Sequence, residues 1–134
     1  MREQSNREAT RKLANTPMLF GEVRQPDTDY IIIPAHSSEN RSYIPMGFMG
    51  SDSMASNLVL IIPEGTLYHF GVLTSAMHMA WTNAVCGRLE SRFRYSAGIV
   101  YNNFPWVDNI TDKQREKIEQ CAEAVLEARK QFPN

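Results

Sequence analysis

Apolar residues are unevenly spaced along this chain, and the spacing changes period several times. Residues 2–14 are polar with alternating charge and offer only Ala9, Leu13 and Ala14 for burial. That predicts a solvated helix stopped by Asn15-Thr16-Pro17. A basic arm is the alternative there, and Glu3 and Glu8 dilute its arginines. A turn over Arg24 to Asp29 leads into the β-branched run Tyr30–Ile33, which Pro34 closes as a strand. Ser42–Ile44 before Pro45 is a second extended piece, and Gly47-Phe48-Met49-Gly50 reads as a turn. Leu58–Ile62 is continuously apolar and ends at Pro63 and the Glu64-Gly65 turn, the pattern of an inner strand covered on both faces.

From Thr66 to Val85 the period becomes helical. Gly71 interrupts it, and Thr74-Ser75 can cap a second helix, so two helices are expected, the second over 74–86. Leu73, Met77, Ala80, Trp81 and Ala84 recur at spacings of three and four and form its predicted buried stripe. The helical period breaks at Gly87. Arg88 to Tyr95 then alternates with a period of two, which on one strand puts Arg88, Glu90, Arg92 and Arg94 on one face and Leu89, Phe93 and Tyr95 on the other. Gly98–Tyr101 reads as a further strand. The last element is the clearest: Thr111 and Gln114 make a capping box, and Ile118, Cys121, Ala122, Val125 and Leu126 form one stripe of an amphipathic helix to Lys130. The pattern as a whole is that of an α+β domain. It predicts a small mixed sheet with Leu58–Ile62 inside, helix 74–86 packed on it and the C-terminal helix flanking it.

Composition narrows the function classes. The chain has 134 residues, 43% hydrophobic and 22% charged, which describes one globular unit with a real core. A formal net charge of −1 gives no general basic signal for nucleic acid, so local distribution has to carry any such reading. No apolar segment long enough to span a bilayer and no apolar leader is visible, which makes the cytoplasm the default compartment. Cys86 and Cys121 both lie in apolar patterns and are expected as reduced, buried, poorly reactive thiols. His69 and His78 lack the partners of a metal set, and the Met77–Trp81 stripe is core before it is a ligand pocket.

The strand face with three arginines and one glutamate is the candidate chemistry. The arginine fork matches the acceptor pair of guanine, and a carboxylate accepts from the amino group of cytosine. Equally, a mixed-charge face is what an ordinary solvated antiparallel strand presents. Three segments bear on the choice: SENRSYIPMGFM, LIIPEGTLYHFGVLTSAMHMAW and GRLESRFRYSAGIVYNNFPW. In this order they resemble the C-terminal region of MmeI-like DNA methyltransferases, single-chain type II restriction–modification proteins in which the region is the target recognition domain. The resemblance spans about residues 29 to 130.

The resemblance implies double-stranded DNA as partner. It assigns Glu90 and Arg92 as the base-reading pair, since family variation between Glu-x-Arg and Lys-x-Asp at these positions goes with reading a base pair in opposite orientations. Ser38 and Arg41, in the Ser-Glu-x-Arg-x-Tyr-x-Pro segment, are implied phosphate contacts, with Arg88 and Arg94 nearby. It divides the chain into an N-terminal helix or linker (1–28), the recognition domain (29–107) and a C-terminal helical segment (108–134). The exit through Phe104-Pro105-Trp106 into a helix is similar in architecture to type I specificity subunits. Val107 stands where the family usually has a second proline.

Catalytic motifs are missing from the sequence. Asn102-Asn103-Phe104-Pro105 has its proline after the aromatic and no cofactor-binding strand before it, so it is not an amino-methyltransferase loop. There is no glycine-rich cofactor loop and no Asp with a following Glu-x-Lys. The resemblance therefore places S-adenosylmethionine, adenine-N6 methylation and any accompanying nuclease in other domains of a parent protein, with no cofactor in this chain. The alternative is a docking or oligomerisation module without DNA binding, built on the C-terminal helix and the Met/Trp stripe.

Overall fold

The computed structural model describes residues 2–19 and 24–132. Residues 1 and 20–23 of the expected N-terminal segment and 133–134 of the C-terminal one lie outside that range. The chain runs α1 (Glu8–Lys12), a 3-10 turn (Leu13–Asn15), β1 (Tyr30–Pro34), β2 (His36–Ser37), β3 (Gly47–Met49), β4 (Val59–Pro63), α2 (Leu67–Leu73), α3 (Ala76–Val85), β5 (Gly87–Leu89), β6 (Arg92–Arg94), a helical turn (Ala97–Tyr101) and α4 (Asp112–Lys130). The α+β expectation holds. The strands form two antiparallel three-stranded sheets, ordered β3-β1-β4 and β2-β6-β5, where one mixed sheet was expected.

The inner strand of the first sheet is β1. Tyr30, Ile31 and Ile33 are buried to 1% exposure or less, because β1 is paired on both edges and covered on both faces. The run 58–62 does not take that place. It forms β4 at the sheet edge, with Val59–Ile62 half-buried and Leu58 63% exposed. A continuous apolar run was compatible with either position, and the choice rests on which edge the rest of the chain covers. Gly47–Met49, expected as a turn, is the other edge strand, while 42–44 forms no strand. Ala35 joins the two sheets: its N–H donates to Leu58 O (3.0 Å) and its C=O accepts from Tyr95 N–H (2.9 Å).

The two expected helices are present, with caps that explain their limits. Thr66 caps α2, and the ring of His69 returns the bond, its Nδ1 accepting from Thr66 N–H at 3.2 Å. Ser75 caps α3 by accepting from His78 N–H. Gly71 does not break the helix; it lies inside α2 where α4 crosses. A Cβ there would lie 2.7 Å from Ile118 Cγ2 and 3.1 Å from Ile118 O, so the absence of a side chain sets the helix separation. Helix α4 has the expected Thr111–Gln114 box. It packs through half-buried Ile118 and Leu126 and buried Ala122, leaving Cys121 and Val125 exposed. Arg115 stacks over the Tyr68 ring, and Arg129 over Phe70 while donating to Met46 O (2.5 Å).

The buried face of α3 is not the predicted apolar stripe. Met77 is 55% exposed and Ala80 and Ala84 are also exposed, whereas His78, Met79 and Thr82 are buried. The physical reason is an aromatic cluster that supplies polar-tolerant partners. The His78 ring meets Phe104 edge-on at 4.7 Å, and its Nε2 lies 2.9 Å from the Tyr95 hydroxyl. Burial pushes the pKa of His78 down to about 4 and that of Tyr95 up. Residues 97–101, expected as a strand, instead make one wide helical turn that buries Val100, whose C=O accepts from Trp81 Nε1 (2.9 Å). Phe104 is buried among the rings of His78, Trp81 and Trp106, and Trp106 packs half-buried against the core.

Candidate nucleic-acid interface

The residues from Arg88 to Tyr95 do not form one strand. They form a hairpin: β5 and β6 pair with Arg88 opposite Phe93 and Leu89 opposite Arg92, leaving Glu90 and Ser91 as a two-residue turn. Glu90 takes a left-handed conformation with φ 57°. Such turns are normally made with Gly, Asn or Asp, so Glu90-Ser91 carries no sequence signal for one.

The hairpin changes the shared-face prediction. Opposed residues on antiparallel strands project to the same side, so Arg92 and Arg94 share a face with Leu89, while Arg88 shares one with Phe93. The Arg88 guanidinium lies 3.8 Å over the Phe93 ring and donates to Ser91 O at 3.2 Å. Glu90 sits at the tip and belongs to neither strand. The pair singled out in the sequence is nevertheless joined, since Arg92 Nη2 donates to Glu90 Oε2 at 3.0 Å. Both side chains remain more than half exposed, 58% for Arg92 and 73% for Glu90.

The polar loop after β1 lies beside this hairpin. Strand β2 pairs with β6, His36 opposite Arg94 and Ser37 opposite Phe93. Beyond it, Ser38 starts a tight turn in which its Oγ accepts from Asn40 N–H (3.2 Å) and its C=O from Arg41 N–H (3.2 Å). Ser38, Arg41, Arg88, Glu90, Arg92 and Arg94 are thus gathered from two distant stretches of sequence onto one sheet and its loops. Two residues that the sequence did not single out join them: Ser91 Oγ donates to Glu39 Oε1 at 2.6 Å. That bond, more than the charges of Arg92 and Arg88, holds the Glu39 carboxyl below the usual carboxylate range. No local signal could have found this contact, because it exists only once the β2–β6 register is set.

Among the described residues, no group of His, Cys, Asp and Glu could hold a metal ion, and no helix is long and apolar enough to cross a membrane. What the surface offers is exposed guanidinium and carboxylate groups on one small sheet and its loops.

Residues 1–108 match the family model for the MmeI target recognition domain, and the chain belongs to that family. It is 42% identical over 130 residues to DNA methyltransferase A of Bacillus subtilis (strain 168), covering 97% of this chain and 15% of that protein. Its fold matches the structure of the Type IIL restriction-modification enzyme MmeI in complex with DNA, with a TM-score of 0.91 and 49% identity over 99% of this chain and 18% of that one. The chain thus spans less than a fifth of either relative's length.

Proposed function

We propose that this chain is the sequence-reading domain of a restriction–modification DNA methyltransferase, and that Glu90 and Arg92 at the hairpin tip read one base pair of its site. The observation that carries the reading is their joined, exposed placement at 3.0 Å on a strained turn. Guanine O6 and the N4 amino group of its paired cytosine lie side by side in the major groove. A guanidinium and a carboxylate already side by side fit that pattern, Arg92 donating to O6 and N7 and Glu90 accepting from N4. An exposed ion pair contributes about 1 kcal/mol or less, so exchanging part of it for base contacts is cheap. The left-handed Glu90 supports the same reading. Backbone strain of this kind clusters at functional sites, where a side chain is held in place for use.

In this reading Ser38 and Arg41, in the loop after β2, serve as phosphate contacts that fix register without reading sequence. Arg94 lies on the Arg92 face as a neighbouring contact, and Arg88 contributes by shaping the hairpin. Residues 29–107 form the reading unit, 1–28 lead into it and 108–134 are its helical exit. In the parent protein the other domains bind S-adenosylmethionine and transfer its methyl group to adenine N6, in the cytoplasm, on double-stranded DNA delivered by this domain. The test is selection of duplexes from a pool with randomised central positions, by wild type and by Arg92→Ala. Loss of preference at one position in the variant supports the reading. An unchanged preference with uniformly weaker binding makes Arg92 a phosphate contact only.

A further inference from the structure

The hairpin tip projects from the domain surface. Leu89, Glu90, Ser91 and Arg92 are all exposed, and β5 is an edge strand. Yet a base-reading pair must be held within a fraction of an ångström to discriminate. The β2–β6 ladder ends at Ser37–Phe93. Extending its register by two residues sets Ser38 opposite Arg92 and Glu39 opposite Ser91. The 2.6 Å bond from Ser91 to Glu39 falls in that extended register, so a side-chain bond continues the sheet where the backbone ladder stops. Ser91 is held at a second atom as well, its carbonyl by Arg88. It is the residue between Glu90 and Arg92.

Charge sharpens the case. A carboxylate on a surface that faces a polyanion opposes binding, so Glu39 does not serve general affinity. We infer that Glu39 is a positioning residue for sequence reading: through Ser91 it braces the hairpin tip and fixes where Glu90 and Arg92 meet the base pair. This assignment rests on the reading role of those two residues.

The test has two arms, each with Glu39→Ala and Glu39→Gln. The glutamine keeps an acceptor for Ser91 and removes the charge. In the first arm, amide relaxation and hydrogen exchange of residues 90–92 are measured in the DNA-free chain. Greater tip mobility is expected in Glu39→Ala and near wild-type order in Glu39→Gln. In the second, the intact polypeptide containing the domain is tested on the duplex that wild type recovers most strongly from a randomised pool, and on duplexes substituted at each position. Glu39→Ala should lower discrimination about threefold to tenfold at the position that responds to Arg92→Ala, with binding to unrelated duplexes undiminished. Glu39→Gln should restore discrimination and bind unrelated duplexes as well or better.

An unchanged tip in Glu39→Ala would overturn the brace. So would equal weakening on all duplexes, the mark of a merely structural role. A loosened tip with unchanged discrimination, while Arg92→Ala still shifts base preference, would overturn the link between brace and reading and leave the reading intact. If Arg92→Ala shifts nothing either, the reading role itself fails and this inference with it.

Discussion

Glu90 offers a direct way to separate stability from reading. Its φ of 57° lies where a side chain crowds the following carbonyl, at a cost of about 1–2 kcal/mol for an L-residue. Glu90→Gly removes that cost, but glycine loses about 0.5–1 kcal/mol more backbone entropy on folding. The exposed pair with Arg92 contributes about 1 kcal/mol at most, and both Glu90→Gly and Glu90→Ala remove it. Comparing the two variants cancels the pair and leaves the turn. Glu90→Gly should therefore be at least as stable as Glu90→Ala, by up to about 1.5 kcal/mol, read as the midpoint shift in urea at equal slope. Glycine should stand close to wild type. Both variants should lose the same base preference in duplex selection, because both lack the carboxylate. Alanine clearly more stable than glycine would refute the left-handed turn. Retained preference in both would refute the carboxylate's role.

Three further outcomes follow from the packing. Gly71→Ala should destabilise the domain by about 1–3 kcal/mol in chemical denaturation, since its Cβ meets the Ile118 backbone oxygen at the α2–α4 crossing; a neutral result would contradict that close approach. His78 has a folded pKa of about 4 against 6.5 unfolded, so the unfolded chain takes up the proton first. Its contribution is fully present above pH 6.5 and lost as pH falls toward 4, about 3 kcal/mol in all, and His78→Asn should flatten that part of the stability–pH curve. A thiol reagent should label exposed Cys121 quickly and Cys86 slowly, because burial shields Cys86 and pushes its thiol pKa up; equal rates would contradict the placement of Cys86.

Much of the fold was legible where local chemistry is self-contained. The caps at Thr111 and Ser75 and the β-branched run Tyr30–Ile33 gave their elements directly, because a cap or a stiff side chain acts within a few residues. What failed depended on partners far away in sequence. Which of two apolar strands is central depends on what covers them, and β1 took the place expected of 58–62. The buried face of α3 follows His78 and Thr82 rather than Met77 and Ala84 because Tyr95 and Phe104 come to meet the histidine. Cys121 was assigned to the core by hydropathy, but α4 is packed along a narrower stripe than its apolar residues define.

At the candidate site the division is the same. Glu90 and Arg92 were paired from residue chemistry and resemblance, and their side chains meet across a turn and not along a strand. The alternation from Arg88 to Tyr95 fits a strand and a hairpin with a two-residue turn equally well, and Glu90-Ser91 has none of the usual turn residues to decide it. Glu39 and Ser91 escaped notice because a hydroxyl and a carboxylate 52 positions apart mean nothing until a sheet sets them opposite each other.

Whether the tip pair reads sequence is decided by exchanging its donor and acceptor. Glu90→Lys with Arg92→Asp in the full-length parent reverses which head donates and which accepts, and the methylated sites can then be mapped across a genome or a plasmid library. A single position of the recognised sequence should change its preferred base pair to the opposite orientation, G·C for C·G, with the other positions unaltered. If every position keeps its preferred base and only the extent of methylation falls, Glu90 and Arg92 do not read the DNA sequence.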